Sequence, residues 1–315
     1  MKFNKILMIF LLILVGLLCI SSVSASEDEN IYAEDLSSSE ISSIDESSLK
    51  DVEPTSEKLT AGENSGVSNV IVVEEVEKNH NEMNDPTIQV AIDNAKAGDT
   101  IVINGESYVH CHFIVNKKLN IISNVGTTME PCGSSAVSGY RGIFYITPEA
   151  SGTVISGFNI VNDVSDNDYG ILVRGASDVT IKDCSFSNSG RYSDAIRAEN
   201  TNRILIQNVT ISHVTNGIKI VNSQNVKVKN SLIDDSKYCI NIIDSSKADL
   251  ISNNITNNFI AGIAISGSSN NINIHSNNIS EGNIGINMTA AKYVYILNNY
   301  IGFNKRYGVY TNCNN

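Results

Sequence analysis

Three short apolar phrases return in a fixed order from Leu119 to the end of the chain, with a period of 22 to 26 residues. Each phrase alternates apolar and polar residues, as a β-strand with one buried face does. The apolar residues that end the first phrase are Ile155, Ile181, Ile206, Val228, Leu250, Ile274 and Ile296. A second set follows five positions later, at Ile160, Phe186, Ile211, Ile233, Ile255, Ile279 and Ile301. The third phrase begins at Gly170, Ala195, Gly217, Cys239, Gly262, Gly285 and Gly308.

A repeat of this length cannot bury its apolar face alone, so successive repeats must stack. If each repeat makes one turn, equivalent strands pair in parallel and their Ile, Val and Leu side chains fill the interior. Asparagine tolerates left-handed backbone angles and stacked amides bond to one another, so we expect asparagine pairs at the corners. These pairs are Asn253-Asn254, Asn277-Asn278 and Asn298-Asn299. The pattern predicts an all-β protein, a parallel β-helix of coils about 22 residues long.

The two ends of the predicted coil differ. The stretch from Asp85 has a helix start in Asp85-Pro86 and a stop in Gly98, which predicts an N-terminal capping helix over Thr87–Ala97. The segment Val67–Glu77 favours a short strand that stands alone. The last coil begins at Val294 and has no predicted cap, and open strand edges recruit other strands. The sequence therefore predicts that the chain is either a shortened relative of a longer protein or self-associates end to end through this coil, with Cys313 placed to form an intermolecular disulfide.

The chain before residue 85 has a different composition. Lys2 and Lys5 precede an apolar run, and small residues follow it, so residues 1–25 are predicted to be a signal peptide of a secreted or cell-surface protein. The alternative is an uncleaved membrane anchor, although the run is short for a span. Residues 26–84 are predicted to be a disordered acidic Ser/Glu-rich spacer, and residues 85–315 the β-helix domain. Most of the net charge of −12 lies in the spacer, so no basic field exists to attract nucleic acid.

The repeat resembles a known family. The phrases Gly-Ile-x-Ile and Val-x-Ile-x-x-Asn-x-Ile are similar to the right-handed parallel β-helix repeats of the pectin-lyase-like superfamily. The opening segment Ile88–Ser123, with its Ala-Gly-Asp-Thr turn, more narrowly resembles the adhesin-like surface proteins of methanogenic archaea. The resemblance implies a right-handed coil on a secreted or wall-associated protein that meets cell-wall, host or microbial polysaccharide. It is weak evidence for chemistry, since the fold hosts lyases, hydrolases, epimerases and binding proteins.

Three successive coils carry extra residues before the third phrase. The connections from Ile121, Ile155 and Ile181 are 21, 15 and 14 residues long, whereas later ones are 11 or 12. Loops on a rigid scaffold commonly hold binding groups. The loops contain Tyr140, Arg141, Asp163, Asp166, Asp168, Tyr169, Arg191, Tyr192 and Asp194, and the next strands should point Arg174, Arg197, Glu199 and Lys219 outward. The predicted ligand-binding residues, suited to an acidic sugar, are Tyr140, Arg141, Arg174, Arg191, Tyr192 and Arg197.

The aspartates of these loops allow two further interpretations. Asp166, Asp168 and Asp194 would offer clustered carboxylates to Ca²⁺, although Asp also caps turns for purely local reasons. Asp168 and Asp194 on adjacent coils would lie about 5 Å apart, the separation of a retaining glycosidase pair. The hydrolases of the fold carry a denser aspartate motif, and the lyases need a basic proton acceptor, here Arg197 or Lys219. We therefore expect a polysaccharide-binding protein, with a lyase or glycoside hydrolase as the alternative and a purely structural rod of the wall layer as a third interpretation, and no cofactor other than Ca²⁺.

Histidine, cysteine and sequons complete the candidates. Alternation along a strand would place His110 and His112 on one face and Cys111 on the other. These residues could form a metal site together with Cys132, but two ligands at this spacing favour a structural role instead. Cys111 and Cys132 are the predicted disulfide pair. Sequons begin at Asn208, Asn254, Asn278 and Asn287. Asn287 is the favoured glycosylation site, because it faces outward on its strand whereas corner asparagines would face inward.

Overall fold

The computed structural model describes residues 68–74, 86–131, 142–162, 169–188 and 194–312, and these belong to one compact unit. One α-helix, α1 (Pro86–Asn94), and a 3₁₀ turn at Pro148–Ala150 are the helical elements of these residues, and all other regular elements are strands. Within the same ranges no helix has the length and hydropathy to cross a bilayer.

The strands of the described residues form three parallel sheets, of ten, nine and nine strands. Sheet A contains β1 (Val70–Val73), β2 (Thr100–Ile103), β5 (Asn120–Ser123), β8 (Val154–Ser156), β11 (Thr180–Lys182), β14 (Leu205–Gln207), β17 (Gln224–Lys229), β20 (Ser246–Ile251), β23 (Asn270–His275) and β26 (Lys292–Leu297). Sheet B contains β3 (Ser107–Cys111), β6 (Thr128–Pro131), β9 (Asn159–Asn162), β12 (Ser185–Asn188), β15 (Thr210–Ser212), β18 (Leu232–Asp234), β21 (Asn254–Thr256), β24 (Asn278–Ser280) and β27 (Tyr300–Gly302). Sheet C contains β4 (Phe113–Val115), β7 (Phe144–Ile146), β10 (Tyr169–Arg174), β13 (Asp194–Glu199), β16 (Asn216–Val221), β19 (Tyr238–Ile243), β22 (Ala261–Ser266), β25 (Ile284–Thr289) and β28 (Tyr307–Asn312).

The chain visits sheets A, B and C in turn, so each A–B–C triplet is one coil of a parallel β-helix, as the sequence predicts. The register agrees with the predicted alignment residue by residue: Ile181 lies between Ile155 and Ile206 in sheet A. Phe186 likewise lies between Ile160 and Ile211 in sheet B. Equivalent residues are therefore stacked one coil apart, about 4.8 Å along the axis.

The stacked apolar residues form one continuous core along the axis. Ile206, Val228 and Ile274, predicted to be buried, have no solvent-exposed surface. Aromatic rings fill the wider first coils, where Phe144 packs between Phe113 and Phe158 with ring centroids 5.5 and 5.4 Å apart. The phrase that opens with glycine has a steric origin: a Cβ on Gly217 would lie 2.5 Å from the backbone oxygen of Cys239 on the next coil.

The N-terminal end contains the predicted helix and one element that was interpreted wrongly. Helix α1 buries Ile88 and Ile92 against the first coil. The strand within Val67–Glu77 does not stand alone: β1 pairs in parallel with β2. Asp99 ties the two segments together, because its carboxylate accepts hydrogen bonds from the backbone N–H groups of Asn69 (2.9 Å) and Lys96 (2.7 Å). The strand thus extends sheet A by one step inside the segment predicted as spacer.

Sharp corners between the sheets are built from a residue with positive φ followed by an inward-facing residue. Between sheets A and B the left-handed residues include Asn230, Ser252, Ser276 and Asn298. The prediction that both asparagine pairs Asn253-Asn254 and Asn277-Asn278 adopt this conformation is wrong, since the preceding serines do so. The first asparagine of each pair is instead buried directly after the corner.

These buried asparagines form the predicted amide ladder. The side-chain NH₂ of Asn253 donates to Asn277 Oδ1 at 3.0 Å, and that of Asn277 donates to Asn299 Oδ1 at 2.9 Å. The same oxygens accept the backbone N–H groups of Asn253 and Asn277 at 2.9 and 2.8 Å. The ladder therefore satisfies main-chain donors that the turn would otherwise bury without partners.

A second polar ladder lies between sheets C and A, where hydroxyls replace amides. The backbone N–H groups of Thr201, Ser223 and Ser245 donate to the hydroxyl of the residue one coil ahead at 3.0 to 3.1 Å. Small side chains suffice here because the hydroxyl reaches the neighbouring N–H directly. Both ladders tie successive coils together at positions where the strands themselves are interrupted.

The last coil of the described residues, β26–β28, is more open than the others. Its inward-facing Ile296 and Ile301 are half-buried, and Val309 is 41% exposed. Cys313 lies outside the described residues. End-to-end self-association through this coil stays a prediction.

Ile206→Ala should destabilise the protein by about 2–5 kcal/mol, because it removes buried methyl groups between Ile181 and Val228 and leaves a cavity. Urea denaturation measures this change. Gln207→Ala, at the neighbouring outward position of β14, is the matched control and should shift stability by less than about 0.5 kcal/mol. Equal effects of the two substitutions would mean that the inward and outward faces are assigned incorrectly.

Asn277→Ala should cost about 1–3 kcal/mol, because the N–H groups of Asn253 lose their acceptor and Asn299 loses a donor. Asn278→Ala is the control: its amide is exposed and bonds only to Asn254 Oδ1 at 2.8 Å among the described contacts. Thermal and urea melts of both variants test the ladder. A control variant as unstable as Asn277→Ala would contradict this account.

Candidate functional site

The outer face of sheet C carries a connected group of charged side chains on three successive strands. Along β10, β13 and β16 the charged outward side chains are Arg174, Arg197, Glu199 and Lys219, as the alternation predicts, and Asp194 lies at the start of β13. The parallel register sets Arg174 beside Glu199 and Arg197 beside Lys219 on neighbouring coils. Residues 25 or 22 positions apart in sequence therefore become lateral neighbours.

Glu199 is the centre of this network. Arg174 Nε and Nη2 both lie 2.8 Å from Glu199 Oε2. Arg197 donates to Glu199 Oε1, and its Nη1 lies 3.1 Å from Asp194 Oδ2. Lys219 Nζ adds a longer contact of 3.9 Å to the same Asp194 oxygen. Two carboxylates thus hold three cations in a fixed arrangement on one face.

The network shifts the pKa values of its members. Burial favours the protonated form of Glu199, but the hydrogen bonds and charges of Arg197 and Arg174 outweigh it and bring the pKa of Glu199 below its ordinary value. Burial likewise favours neutral Arg197, whereas Tyr169, Asp194 and Glu199 together raise the pKa of this guanidinium. Both groups are therefore fully ionised near neutral pH.

Two neutral side chains border the charges. The guanidinium of Arg197 lies 5.3 Å from the ring centroid of Tyr169, which is within the range of a cation–π contact. Asn216 donates from Nδ2 to Asp194 Oδ1 at 2.6 Å, and Asn241 donates in turn to Asn216 Oδ1 at 2.9 Å. Asp194 is consequently bonded at both oxygens and only 7% exposed.

The structure brings together Asp194, Arg174, Arg197, Glu199 and Lys219 of the predicted set. The other candidates lie outside the described residues: Tyr140, Arg141, Asp163, Asp166, Asp168, Arg191 and Tyr192. The Ca²⁺ site and the Asp168–Asp194 pair therefore stay predictions. Within the described ranges, no three His, Cys, Asp or Glu side chains are grouped as metal ligands.

Sequence reasoning missed Asn216, Asn241 and Tyr238 as parts of this face. They occupy outward positions one and two coils beyond Asp194 and Arg197. Aligning the equivalent positions of successive repeats, which located the core residues, would also have located these three. The predicted outward residues ended at Lys219, one coil before Tyr238 and Asn241.

The His110-Cys111-His112 segment departs from the predicted alternation. His110 has a φ of +60° inside β3, and the pairing of β3 with β6 shifts register between Tyr108 and Cys111, so an irregularity interrupts the alternation. Cys111 faces the core, and His112, which follows the end of β3, donates from Nδ1 to the Gly142 carbonyl oxygen at 2.8 Å. The two imidazoles therefore do not share a strand face. Cys132 lies outside the described residues, so the disulfide stays a prediction.

The solvent exposure of the sequon asparagines differs from the prediction. Asn208, Asn254 and Asn278 are exposed, so the premise that these corner residues face inward is wrong. Asn287 does face outward on β25, yet it is half-buried and its Oδ1 is buried without a hydrogen-bond partner. Glycosylation at Asn287 stays a prediction.

Solved structures share the fold at low sequence identity. A polygalacturonase from Erwinia carotovora ssp. carotovora superposes with a TM-score of 0.57 at 11% identity, covering 76% of this chain and 78% of that one. A Yersinia enterocolitica family 28 exopolygalacturonase superposes with a TM-score of 0.56 at 15% identity, covering 73% of this chain and 58% of that one. The enzymatically active domain of bacteriophage CBA120 tailspike protein 2 superposes with a TM-score of 0.54 at 13% identity, and the match covers 71% of this chain. The chain spans only 40% of that tailspike domain, and likeness at these identities concerns the fold alone.

No curated protein matches this chain by sequence. The family model described as "Right handed beta helix region" matches residues 99–279, which is more than half of the chain. The match covers sheets A, B and C from β2 to β24 and agrees with the predicted handedness. The chain therefore belongs to the right-handed β-helix family.

Proposed function

We propose that this chain is a secreted or cell-surface, adhesin-like protein that binds polysaccharide through the outer face of sheet C. The observation that carries the proposal is the network of Arg174, Arg197 and Lys219 with Glu199 and Asp194. It lies on strands rather than on loops, so its geometry is set by the backbone register. A rigid array of this kind is already organised for a ligand, which lowers the entropy cost of binding.

The charge balance of the network favours an acidic sugar. Three cations face two carboxylates, which leaves one positive charge in excess. The side chain of Arg174 is 36% exposed and that of Lys219 is 21% exposed, so both can reach a ligand. A uronate carboxylate can pair with the guanidinium, and Tyr169 offers a ring face to a sugar. The partner we propose is therefore an anionic cell-wall, host or microbial polysaccharide.

Two features support the adhesin-like assignment. The opening segment Ile88–Ser123 resembles the adhesin-like surface proteins of methanogenic archaea, and its helix and first strands occupy the start of the coil. The apolar run after Lys2 and Lys5 supports export by a signal peptide. A rod with one binding face, held at a surface by an acidic spacer, suits attachment to another surface.

A polysaccharide-degrading enzyme is the second candidate, because solved polygalacturonases share the fold. The described carboxylates argue against it. A general acid must hold a proton near the working pH, and the pKa of Glu199 is lowered instead. Asp194 accepts from Asn216 and Arg197, so its oxygens are occupied by structural partners. Binding without turnover is the function that these contacts favour.

Glu199→Gln should remove part of the acid sensitivity of folding. The folded-state pKa of Glu199 lies below its ordinary value of 4.5, so its ion pairs stabilise the fold fully above that pH. This contribution is lost as the pH falls through the lowered pKa. In urea denaturation the variant should be less stable than wild type near neutral pH, and the two should converge as the pH falls through the lowered pKa of Glu199. The exposed Glu281→Gln serves as a control, and a gap for Glu199→Gln that stays constant from neutral to acid pH would contradict the ion-pair account.

The double variant Arg174→Gln, Arg197→Gln should weaken binding to acidic polysaccharide by about tenfold or more, because charge-assisted hydrogen bonds contribute about 1.5–3 kcal/mol each. A glycan array that includes polygalacturonate and alginate, with and without Ca²⁺, identifies the ligand. Arg203→Gln is the matched control: Arg203 pairs with Asp178 at 2.5 and 2.7 Å in the turns that lead from sheet C into sheet A, and it is not a member of the network.

The same samples separate the two candidate functions. Reducing ends or unsaturated uronates released from a bound polysaccharide would establish an enzyme in place of a binding protein. Binding that both variants weaken equally, or that neither weakens, would remove sheet C as the binding face. Circular dichroism of each variant confirms that the fold is retained.

A further inference from the structure

The outer face of sheet C changes its chemistry along the axis. Below Lys219 the same outward column continues with Asn241 in β19, Ala264 in β22 and Asn287 in β25. The described outward side chains of these three strands carry no formal charge, in contrast to those of β13 and β16. The face therefore has a charged half and a neutral half.

The neutral half contains a cavity of about 260 Å³. Ala264 forms its floor between Asn241 and Asn287, and Tyr238, Ile243 and Thr289 line its sides. The small side chain of Ala264 creates the space, because its neighbours in the column are larger. Ala264 also joins Ala261 and Ile284 in an apolar cluster that is separate from the interior core.

The chain of side-chain hydrogen bonds along this column ends at the cavity. A relay runs from Asp194 through Asn216 to Asn241, with each amide NH₂ donating to the oxygen of the previous coil at 2.6 and 2.9 Å. Ala264 has no side-chain polar group to continue it. On the far side, Asn287 Oδ1 is buried without a partner. Buried polar atoms almost always have partners, so this acceptor indicates a missing donor.

We propose that this cavity is a subsite for a neutral 2-acetamido sugar unit of the polysaccharide, an inference that rests on the proposed function. Asn287 Oδ1 is closed to solvent in the free protein, so the Asn287 amide must rotate towards the cavity to accept the acetamido N–H, the donor that this oxygen lacks. Thr289 offers a hydroxyl to the carbonyl oxygen of the acetamido group. The methyl group suits the apolar surface of Ala264 and Ile243. Sugar hydroxyls can donate to Asn241 Oδ1, whose own NH₂ is held by Asn216.

Other sugar classes fit the cavity less well. A uronate carboxylate would be buried against amide oxygens without a cation, which is costly. A plain hexose would place a hydroxyl, rather than a methyl group, against Ala264 and Ile243. The cavity floor lies two coils from Lys219, about 10 Å along the axis, so one oligosaccharide can reach both halves. The expected ligand therefore contains both acidic and N-acetylated units.

The subsite and glycosylation of Asn287 exclude each other. A glycan attached to Asn287 would occupy the cavity that the ligand needs. Protein for the binding test should come from a host that does not add N-linked glycans. Mass spectrometry of the protein from its native source then provides an independent arm, and a glycan on Asn287 there would overturn the proposal.

The test uses NMR titration of the full chain with the methyl glycosides of N-acetylglucosamine, glucose and glucuronic acid. We expect the side-chain NH₂ signals of Asn241 and Asn287 to shift with the N-acetylated glycoside only. Ala264→Leu should fill the cavity and weaken this binding by about tenfold or more, a change of about 1.4 kcal/mol. Asn273→Leu adds the same side chain on the exposed face of sheet A and should leave binding unchanged.

The outcomes separate this proposal from the proposed function. Loss of polysaccharide binding in the Arg174, Arg197 variant without any response to the acetamido glycoside would reject the subsite and leave the function standing. A response of Asn287 to the acetamido glycoside without polysaccharide binding would reject the function and keep the subsite. Equal shifts with glucose, or binding unaffected by Ala264→Leu, would overturn the subsite.

Discussion

The backbone hydrogen bonds between equivalent strands of successive coils are the constraint on which the rest of the structure depends. They fix the register, and a slip of one residue would turn every inward isoleucine outward. Because Ile181, Ile206 and Val228 stay stacked, the outward residues of the same strands stay stacked as well. The neighbour relations of Arg197, Glu199 and Lys219 are therefore a by-product of the packing of the core.

The corners solve the problem that this constraint creates. The chain must turn within about two residues at the end of each strand, and the turn leaves main-chain N–H groups without a carbonyl acceptor on a neighbouring strand. Buried amides such as Asn277 and hydroxyls such as Ser223 satisfy them from the next coil. Left-handed conformations at Ser252 and Asn298 cost some backbone strain, which these hydrogen bonds offset.

The sequence predicts the core of this fold well because period and alternation are properties of the pattern itself. It does not identify the left-handed residue of a corner, since Ser252 and Asn253 are both small and polar and only the buried ladder distinguishes them. The pairing of β1 with β2 was missed because β1 lies outside the repeat. At the candidate site, alternation predicted which way Arg174 and Arg197 face. It did not reveal that Glu199 and Asp194 hold them. The Arg174–Glu199 pair joins two coils, and the pairs of Arg197 with Glu199 and Asp194 depend on side-chain conformations within β13.

The corners also restrict the length of the β-helix to whole numbers of coils. The coils from Ile206 to Val228 and from Val228 to Leu250 each span 22 residues and begin and end at equivalent points of sheet A. Removing one such coil would bring together two surfaces that already match in register, whereas removing a single residue would misalign every ladder below it. Evolution can therefore lengthen or shorten this protein in whole turns. Each added turn carries its own outward row, so the spacing between charged and neutral recognition elements changes only in steps of about 4.8 Å.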